Sequence, residues 1–211
     1  MYKNVIFDLD GTLINSEPGI VHCYSKAMEA FGMDVPDGSL KGAIGQRLPD
    51  IFSKRLGVPD EDLDRAVRLY REEYSAVGLQ LSELYPGVMK VLSNLRQRGI
   101  RINAATLKAE HLAVKILDYL KIKDYFDVIA GVDASDVLRK PDLIKKCQGA
   151  FSLNECAMVG DSVSDGAGAV ETGVDFIGVT YGYGFECRQD IEPYNPKFVV
   201  GRPEELLEFF V

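Results

Sequence analysis

Asn4-Val5-Ile6-Phe7-Asp8-Leu9-Asp10-Gly11-Thr12-Leu13 is the stretch on which the reading of the chain turns. A run of β-prone apolar residues ends in two carboxylates two positions apart, followed by glycine and a hydroxyl. Side chains of a strand alternate faces, so Asp8 and Asp10 leave its end on the same side. Gly11 permits a sharp turn and a close approach of backbone to a ligand. Two like charges held so near each other are costly unless a cation or proton lies between them. A polar, turn-making strand end would look the same in isolation, so the remainder of the chain has to decide.

Composition bounds the answer. At 211 residues and 46% apolar content, the chain fits one sizeable domain, or a core with a modest insertion. Acidic residues outnumber basic ones 32 to 24, a net charge of -8. That sign disfavours nucleic acid and anionic membrane surfaces as partners, because binding either relies on Lys and Arg. Met1-Tyr2-Lys3-Asn4 runs straight into a strand without a signal-peptide pattern, and no apolar run approaches the ~20 residues of a membrane helix. Cys23, Cys147, Cys156 and Cys187 form no CxxC pair, and neither His22 nor His111 lies near one at metal-ligand spacing. Scattered reduced thiols fit a soluble cytoplasmic protein.

Along the chain, Glu17-Pro18 opens a helix (Ile20, Val21, Tyr24, Ala27, Met28, Phe31) that Gly32 ends. Up to about Leu84 no strand pattern appears. Leu48 to Leu56 reads as a short helix, and Asp60 as the cap of a longer one through Leu63, Val67, Tyr70 and Tyr74. Some seventy residues of helix are too many for an ordinary connection, so residues 15–84 read as an inserted helical subdomain, with the core formed by 1–14 and 85–211. After Tyr85-Pro86-Gly87 and the helix Val88 to Arg98, strands alternate with helices. Expected strands are Ile100 to Ala105 (ending in Thr106), Phe126 to Ala130, Ala157 to Gly160 (ending in Asp161), Phe176 to Val179 and Phe198 to Val200. Helices fall over Glu110 to Leu120, Pro141 to Ala150, Asp165 to Thr172 and Glu204 to Phe209. Such alternation implies an α/β fold, a doubly wound, mostly parallel sheet covered on both faces.

In such sheets, sites form beyond the carboxyl ends of the strands. Asp8 with Asp10, Thr106, and Asp161 all fall there, and Lys140 precedes the Pro141 helix. Singly, each has a bland explanation as turn, cap or loop residue. Jointly, carboxylates, a hydroxyl and an ammonium at one edge suit chemistry with a hard divalent cation such as Mg²⁺. Asp8 and Asp161 would supply carboxylates to the ion and Asp10 its carbonyl. Thr106 and backbone N–H groups would hold phosphate oxygens. Asp10 would protonate a leaving oxygen and then activate water, in an in-line transfer of a phosphoryl group to Asp8.

These motifs resemble the haloacid dehalogenase superfamily: Asp8-Leu9-Asp10-Gly11-Thr12-Leu13 is similar to its first motif, Thr106 with Lys108 to the second, Lys140-Pro141 to the third, and Gly160-Asp161-Ser162-Val163-Ser164-Asp165 to the fourth. The resemblance implies Asp8 as nucleophile, Asp10 as general acid/base, Lys140 as phosphate clamp, Asp161 as Mg²⁺ ligand, and Asp165 as the residue orienting Lys140 or metal-bound water. It implies a Rossmann-like core with a helical cap. Two departures stand out. Leu107 follows Thr106 where small or polar residues are commoner, so substrate contact there would be through backbone. Asn15-Ser16 replaces an acidic residue plus serine, which should alter only the hinge into the cap.

Asp10 speaks against the dehalogenases and phosphonatases that this chain also resembles. β-Phosphoglucomutase, a phosphotransferase, is the nearer rival, but Ile20 stands where its cap histidine would be, and Gly42 is followed three residues later by Gly45 rather than arginine. Ile44-Gly45-Gln46-Arg47-Leu48, Tyr70-Arg71-Glu72-Glu73-Tyr74, Leu84-Tyr85-Pro86-Gly87 and Gly178-Val179-Thr180-Tyr181-Gly182-Tyr183-Gly184 look like the phosphoglycolate phosphatase-like branch, some members of which act on nucleotides. Gln46 and Arg47 would face the phosphate site, with Arg47 suited to a substrate carboxylate. The Tyr181 to Gly184 run reads mainly as a tight turn with packing aromatics. The expectation is thus a Mg²⁺-dependent phosphatase for a small phosphorylated metabolite. A phosphoaspartate signalling module is the alternative of another class; receiver domains are shorter, lack a helical insertion and carry the acceptor on a middle strand.

Overall fold

A computed structural model describes residues 2–36, 39–40, 44, 46–133 and 137–210. Gly42 and Gly45, which entered the comparison with the mutase, lie outside the described residues. Six strands form one parallel sheet. In chain order the elements are β1 (Asn4–Phe7), β2 (Ile14–Asn15), α1 (Glu17–Glu29), α2 (Leu48–Lys54), α3 (Leu63–Ala76), β3 (Glu83–Leu84), α4 (Val88–Gln97), β4 (Arg101–Ala109), α5 (Glu110–Tyr119), β5 (Val128–Val132), α6 (Lys140–Gln148), β6 (Cys156–Gly160), α7 (Val163–Thr172), β7 (Asp175–Val179) and β8 (Phe198–Val200). Short helical turns and a terminal helix, Leu206–Phe209, complete the chain.

The sheet order is β5-β4-β1-β6-β7-β8, the doubly wound arrangement expected from the alternation. The chain winds outward from β1 through β4 to β5, then returns across the sheet to place β6 on the other flank of β1. Both neighbours pair with β1 in register, Phe7 opposite Ala104 on one side and Val159 on the other. The winding therefore reverses at β1, and the crevice this opens lies beyond Phe7, where Asp8 begins. All four residues of β1 are buried, as a central strand covered on both faces requires. Its one polar member, Asn4, is satisfied laterally by hydrogen bonds with the Asn103 side chain and the Cys147 carbonyl.

Several boundaries differ from the sequence expectation, each for a local reason. β2 and β3 pair antiparallel, Ile14 with Leu84 and Asn15 with Glu83, where no strand was expected; two residues are too few to show a period. Asp60 does not cap the long helix: it opens a 3₁₀ turn, Asp60–Asp62, and α3 starts at Leu63. β4 runs on through Thr106 to Ala109, but its register with β5 shifts between Ala105 and Ala109, so Thr106 sits at the irregularity. α7 begins at Val163, two residues early, because Ser162 and Asp165 form a reciprocal capping box.

Between β2 and β3, helices α1, α2 and α3 pack around Tyr24, Phe52, Tyr70 and Tyr74, whose rings meet at centroid distances of 4.7 to 6.3 Å. Here α1 crosses the turn after α3 with almost no spacing: a Cβ on Gly19 would lie 2.1 Å from the Gly78 carbonyl oxygen. Among the described residues no helix is long and apolar enough to cross a membrane.

Gly19→Ala sets two effects against each other. Helix propensity favours alanine by about 1 kcal/mol, whereas the overlap with Gly78 forces α1 outward at a typical overpacking cost of about 1–3 kcal/mol. The expected result is a net loss of stability in urea unfolding. A neutral or stabilised variant would show that α1 and the Gly78 turn separate freely.

Candidate active site

The strand-end residues converge. Lys140, at the start of α6 and only 4% exposed, donates from Nζ to Asp8 Oδ1 at 2.8 Å and to the Ala105 carbonyl at 3.0 Å, and pairs with Asp165 Oδ1 at 2.8 Å. Four elements, β1, β4, α6 and α7, are thus tied at one ammonium. Asp165 is held from the other side: its Oδ2 accepts from the Ser162 backbone N–H at 3.0 Å and from the Ser162 hydroxyl at 2.7 Å. Gly160 is required behind it, since a Cβ there would lie 2.3 Å from the Asp165 carboxyl carbon.

Asp161 is gripped differently. Its Oδ2 accepts the backbone N–H groups of Tyr183 (2.8 Å) and Gly184 (3.1 Å), and Oδ1 accepts the Thr12 hydroxyl at 3.3 Å. Gly11, at φ +87°, brings the turn after β1 so close that a Cβ would sit 2.2 Å from Asp161 Oδ2. Glycine answers both demands there, the left-handed backbone and the approach.

The carboxylates of Asp8, Asp161 and Asp165 offer oxygens within 4.8 Å of one another, all buried. One ammonium faces three carboxylates, and the electrostatics show the imbalance. Burial pushes the Asp8 carboxyl well above its usual range against the opposing pull of Lys140. Burial, then the neighbouring Asp165, lifts Asp161 to about 7. Lys140, which burial alone would pull down, is held above its ordinary value by Asp165 and Asp8.

Asp10 points elsewhere. Its Oδ2 pairs with Lys108 at 2.9 Å, and its Oδ1 accepts the Ser16 hydroxyl at 2.5 Å. Two carboxylates two residues apart therefore have separate partners, one on the Lys140 side and one on the Lys108 side. Thr106, buried beside them, accepts the Lys108 backbone N–H at 3.1 Å. Gln46, Arg47, Thr106 and Leu107 line one cavity together with Asp8 and Asp10, so the residues from α2's approach and from β4 share a chamber. Tyr24, Tyr70, Arg71, Tyr74 and Lys108 complete much of its wall.

Two contributions were not visible in the sequence. Ser16 does more than hinge, because it reaches the Asp10 carboxylate directly. The Tyr181 to Gly184 run is not merely a turn with packing aromatics. Besides supplying both N–H donors to Asp161, it carries Tyr183, whose hydroxyl accepts from the Ser16 N–H (2.7 Å) and the Glu17 N–H (3.0 Å) and donates to Asn15 Oδ1 (2.8 Å). Those N–H groups are among the unpaired donors at the start of α1. Tyr181 donates to the Thr12 carbonyl at 2.9 Å. The alternation of glycine and tyrosine was the available signal: Cβ atoms on Gly182 and Gly184 would meet the Gly11 and Asp161 carbonyl oxygens at 2.3 and 2.5 Å.

Tyr183→Phe keeps the ring and removes all three hydroxyl contacts. It should cost about 1–3 kcal/mol, given roughly 1 kcal/mol net per hydrogen bond and an added penalty for donors left unpaired. Urea unfolding measures this; an unchanged midpoint would mean that water replaces the hydroxyl at no cost.

Similarity to known proteins agrees with this geometry. Residues 5–179 match the model of the haloacid dehalogenase-like hydrolase family. A tyrosine-protein kinase, PtkA, of Mycobacterium tuberculosis is 38% identical over 184 residues, 85% of this chain; the match spans only 62% of that protein's length. A 5'-nucleotidase of Pseudomonas aeruginosa is 33% identical over 88% of this chain and 86% of its own, and a phosphoglycolate phosphatase of Vibrio parahaemolyticus 32% identical over 98% and 95%. Among solved structures, a haloacid dehalogenase-like family hydrolase from Streptococcus pneumoniae superposes with a TM-score of 0.91 at 27% identity, covering 100% of this chain and 99% of that one. With the family model matched over most of its length and the strand-end motifs gathered at one crevice, the chain belongs to the haloacid dehalogenase-like hydrolase family.

Proposed function

We propose that the protein is a Mg²⁺-dependent phosphatase that hydrolyses a small phosphomonoester through a phosphoryl group carried transiently on Asp8. The observation that carries this reading is the separation of the two neighbouring aspartates, Asp8 on Lys140 and Asp10 on Lys108. It gives one carboxylate the surroundings of a nucleophile and the other those of a proton carrier. Lys140 holds Asp8 Oδ1, so Oδ2 is the oxygen that attacks phosphorus as the ester P–O bond breaks. Asp10, oriented by Ser16 and Lys108, gives its proton to the departing oxygen. It then takes a proton from the water that attacks phosphorus, the Asp8 O–P bond breaks, and inorganic phosphate leaves. Thr106 and adjacent backbone N–H groups steady the non-bridging oxygens.

The donor set fits a divalent ion. Asp8, Asp161 and Asp165 are hard oxygen donors carrying more negative charge than Lys140 can offset. Asp165 has both oxygens engaged, with Lys140 and Ser162, which suits support rather than ligation. Asp8 and Asp161, with the Asp10 carbonyl, would hold the ion. When bound, Mg²⁺ neutralises the charge that separates an anionic phosphate from Asp8. Residues 15–84 act as a cap over the site, presenting Gln46 and Arg47 to the substrate. A phosphorylated small acid or a nucleotide suits these groups, and the named phosphoglycolate phosphatase and 5'-nucleotidase relatives support that range. The kinase relative favours a second reading, a phosphoryl acceptor other than water, although this chain spans under two thirds of it.

Phosphate release from p-nitrophenyl phosphate, with and without Mg²⁺, tests the proposal. Turnover should require the metal and fall by at least about 10³-fold in Asp8→Asn, the scale of losing a covalent nucleophile. Absence of metal-dependent turnover, or an active Asp8→Asn, would refute it. Radiolabel passing from ATP to a tyrosine-containing protein would instead support the second reading.

Metal addition gives an independent check. Saturating MgCl₂ at pH 7.5 should raise the melting temperature by about 5–10 °C, from roughly 2.7 kcal/mol at a hundredfold excess over Kd, and Asp161→Asn should abolish most of the shift. Because burial holds the Asp161 carboxyl up at about 7, a proton competes with the ion as pH falls. The shift should therefore be much smaller at pH 5.5 than at 7.5; equal shifts at both would argue that Asp161 is not a ligand.

A further inference from the structure

The loop that follows β7, Tyr181-Gly182-Tyr183-Gly184, grips three places at once. Its backbone holds Asp161: the N–H groups of Tyr183 and Gly184 donate to Oδ2 at 2.8 and 3.1 Å, and the Phe185 N–H donates to the Asp161 carbonyl at 2.8 Å. Its side chains hold both linkers of the helical segment. On the outgoing linker, the Tyr183 hydroxyl accepts the Ser16 and Glu17 N–H groups and donates to Asn15 Oδ1. On the returning linker, the Tyr181 ring packs on Tyr85 at 5.1 Å. Burial, then the neighbouring Tyr183 hydroxyl, holds the Tyr85 phenol above its ordinary range.

The loop cannot shift without carrying these partners. A Cβ on Gly182 would lie 2.3 Å from the Gly11 carbonyl oxygen and 2.5 Å from Asp161 Cβ, and one on Gly184 would lie 2.5 Å from the Asp161 carbonyl oxygen. Surfaces packed that closely transmit a displacement instead of absorbing it. The other tether on the Asp161 carboxylate, the Thr12 hydroxyl, is longer at 3.3 Å and correspondingly weaker. The loop therefore aims Asp161, and what Tyr183 grips places the loop. We propose that Tyr183 is a positioning residue for the cation site: its hydroxyl latches the loop to the linkers, so cation affinity depends on the latch, and a bound cation in turn holds the linkers. This rests on the Mg²⁺-dependent reading above and adds to it a regulation, in which metal loading and the seating of the helical segment are one equilibrium. Coupling of this kind is reciprocal, so it can be read from either end.

Calorimetric titration with MgCl₂, without substrate, reads the first end. Tyr183→Phe keeps the ring and both backbone donors to Asp161, and should weaken Mg²⁺ binding by at least about fivefold. Amide hydrogen exchange reads the second. In wild type, saturating Mg²⁺ should slow exchange at Ser16 and Glu17 by at least about fivefold as well; in Tyr183→Phe these amides should exchange fast with or without it. Tyr2→Phe is the control, since it removes a phenol hydrogen bond to Asp175, at the opposite end of β7. It should lose stability yet leave Mg²⁺ affinity and the protection of Ser16 and Glu17 as in wild type. Should Tyr183→Phe not fold, Asn15→Ala, which removes the acceptor of the Tyr183 hydroxyl, carries the test with a weakening of at least about twofold. Wild-type affinity in Tyr183→Phe, an equal weakening in Tyr2→Phe, or no effect of Mg²⁺ on Ser16 and Glu17 in wild type would overturn the latch alone. Wild-type protein that binds no Mg²⁺ would overturn the metal-dependent reading and the latch with it.

Discussion

One buried ammonium is the constraint on which the rest depends. Lys140 binds the carboxylates of Asp8 and Asp165 at equal distances and donates to the Ala105 carbonyl at the irregular point of β4. Without it, two carboxylates would face each other in a medium too poor to screen them, and a buried charge stripped of its partner typically costs about 3–5 kcal/mol. The same contact registers four elements that are distant in sequence: β1, β4, α6 and α7. The lysine can hold them because the parallel sheet reverses its winding at β1, which leaves a crevice there for a side chain entering from α6. The geometry of the site and the packing of the core are therefore one problem, solved by one residue.

Much of this was legible in the sequence because it is written in local, periodic terms. The apolar run Val5-Ile6-Phe7 before Asp8, glycine-punctuated helices and a strict alternation of strand and helix specify a doubly wound sheet almost regardless of tertiary detail. The strand-end positions of Asp8, Asp10 and Asp161 then follow from the fold. What escaped has in common that its signal is short or relational. The β2–β3 pair has two residues a side, too few for any period. The 3₁₀ turn at Asp60 offers the composition of a cap, and only the backbone path distinguishes them. The partners of Asp10, Ser16 and Lys108, take one carboxylate oxygen each and lie far apart in sequence, and no spacing rule links them.

The stretch from Tyr181 to Gly184 shows most clearly how a weak pattern can conceal a strong constraint. Its glycines are dictated by other backbones, the carbonyls of Gly11 and Asp161, rather than by a turn of their own. Its tyrosines reach Thr12, Asn15, Ser16 and Glu17, all within the first seventeen residues. A loop late in the chain thus fixes both an acidic residue of the site and the backbone where the helices of the middle segment begin. Aromatic rings with polar tips suit that duty, since the ring packs, as Tyr181 does on Tyr85 at 5.1 Å, while the hydroxyl reaches a backbone group.

The paired strands β2 and β3 have a consequence for how the helical segment is attached. The segment of about seventy residues between them leaves and re-enters at Ile14 and Leu84, two residues directly opposite each other in an antiparallel ladder. Facing residues in such a ladder stand about 5 Å apart, close to the span of a single tight turn. The two ends of the segment are thus presented to the sheet as one hairpin stub, whatever lies between them. The helices between them are nevertheless not independent of the sheet, since Tyr24, Phe52, Tyr70 and Tyr74 share one buried cluster with Val5 and Phe7 of β1 and Ile102 and Ala104 of β4. The fold thus joins the helical segment to the sheet through one narrow stub, so a change in those helices reaches the core through their packing on it and not through a second chain connection.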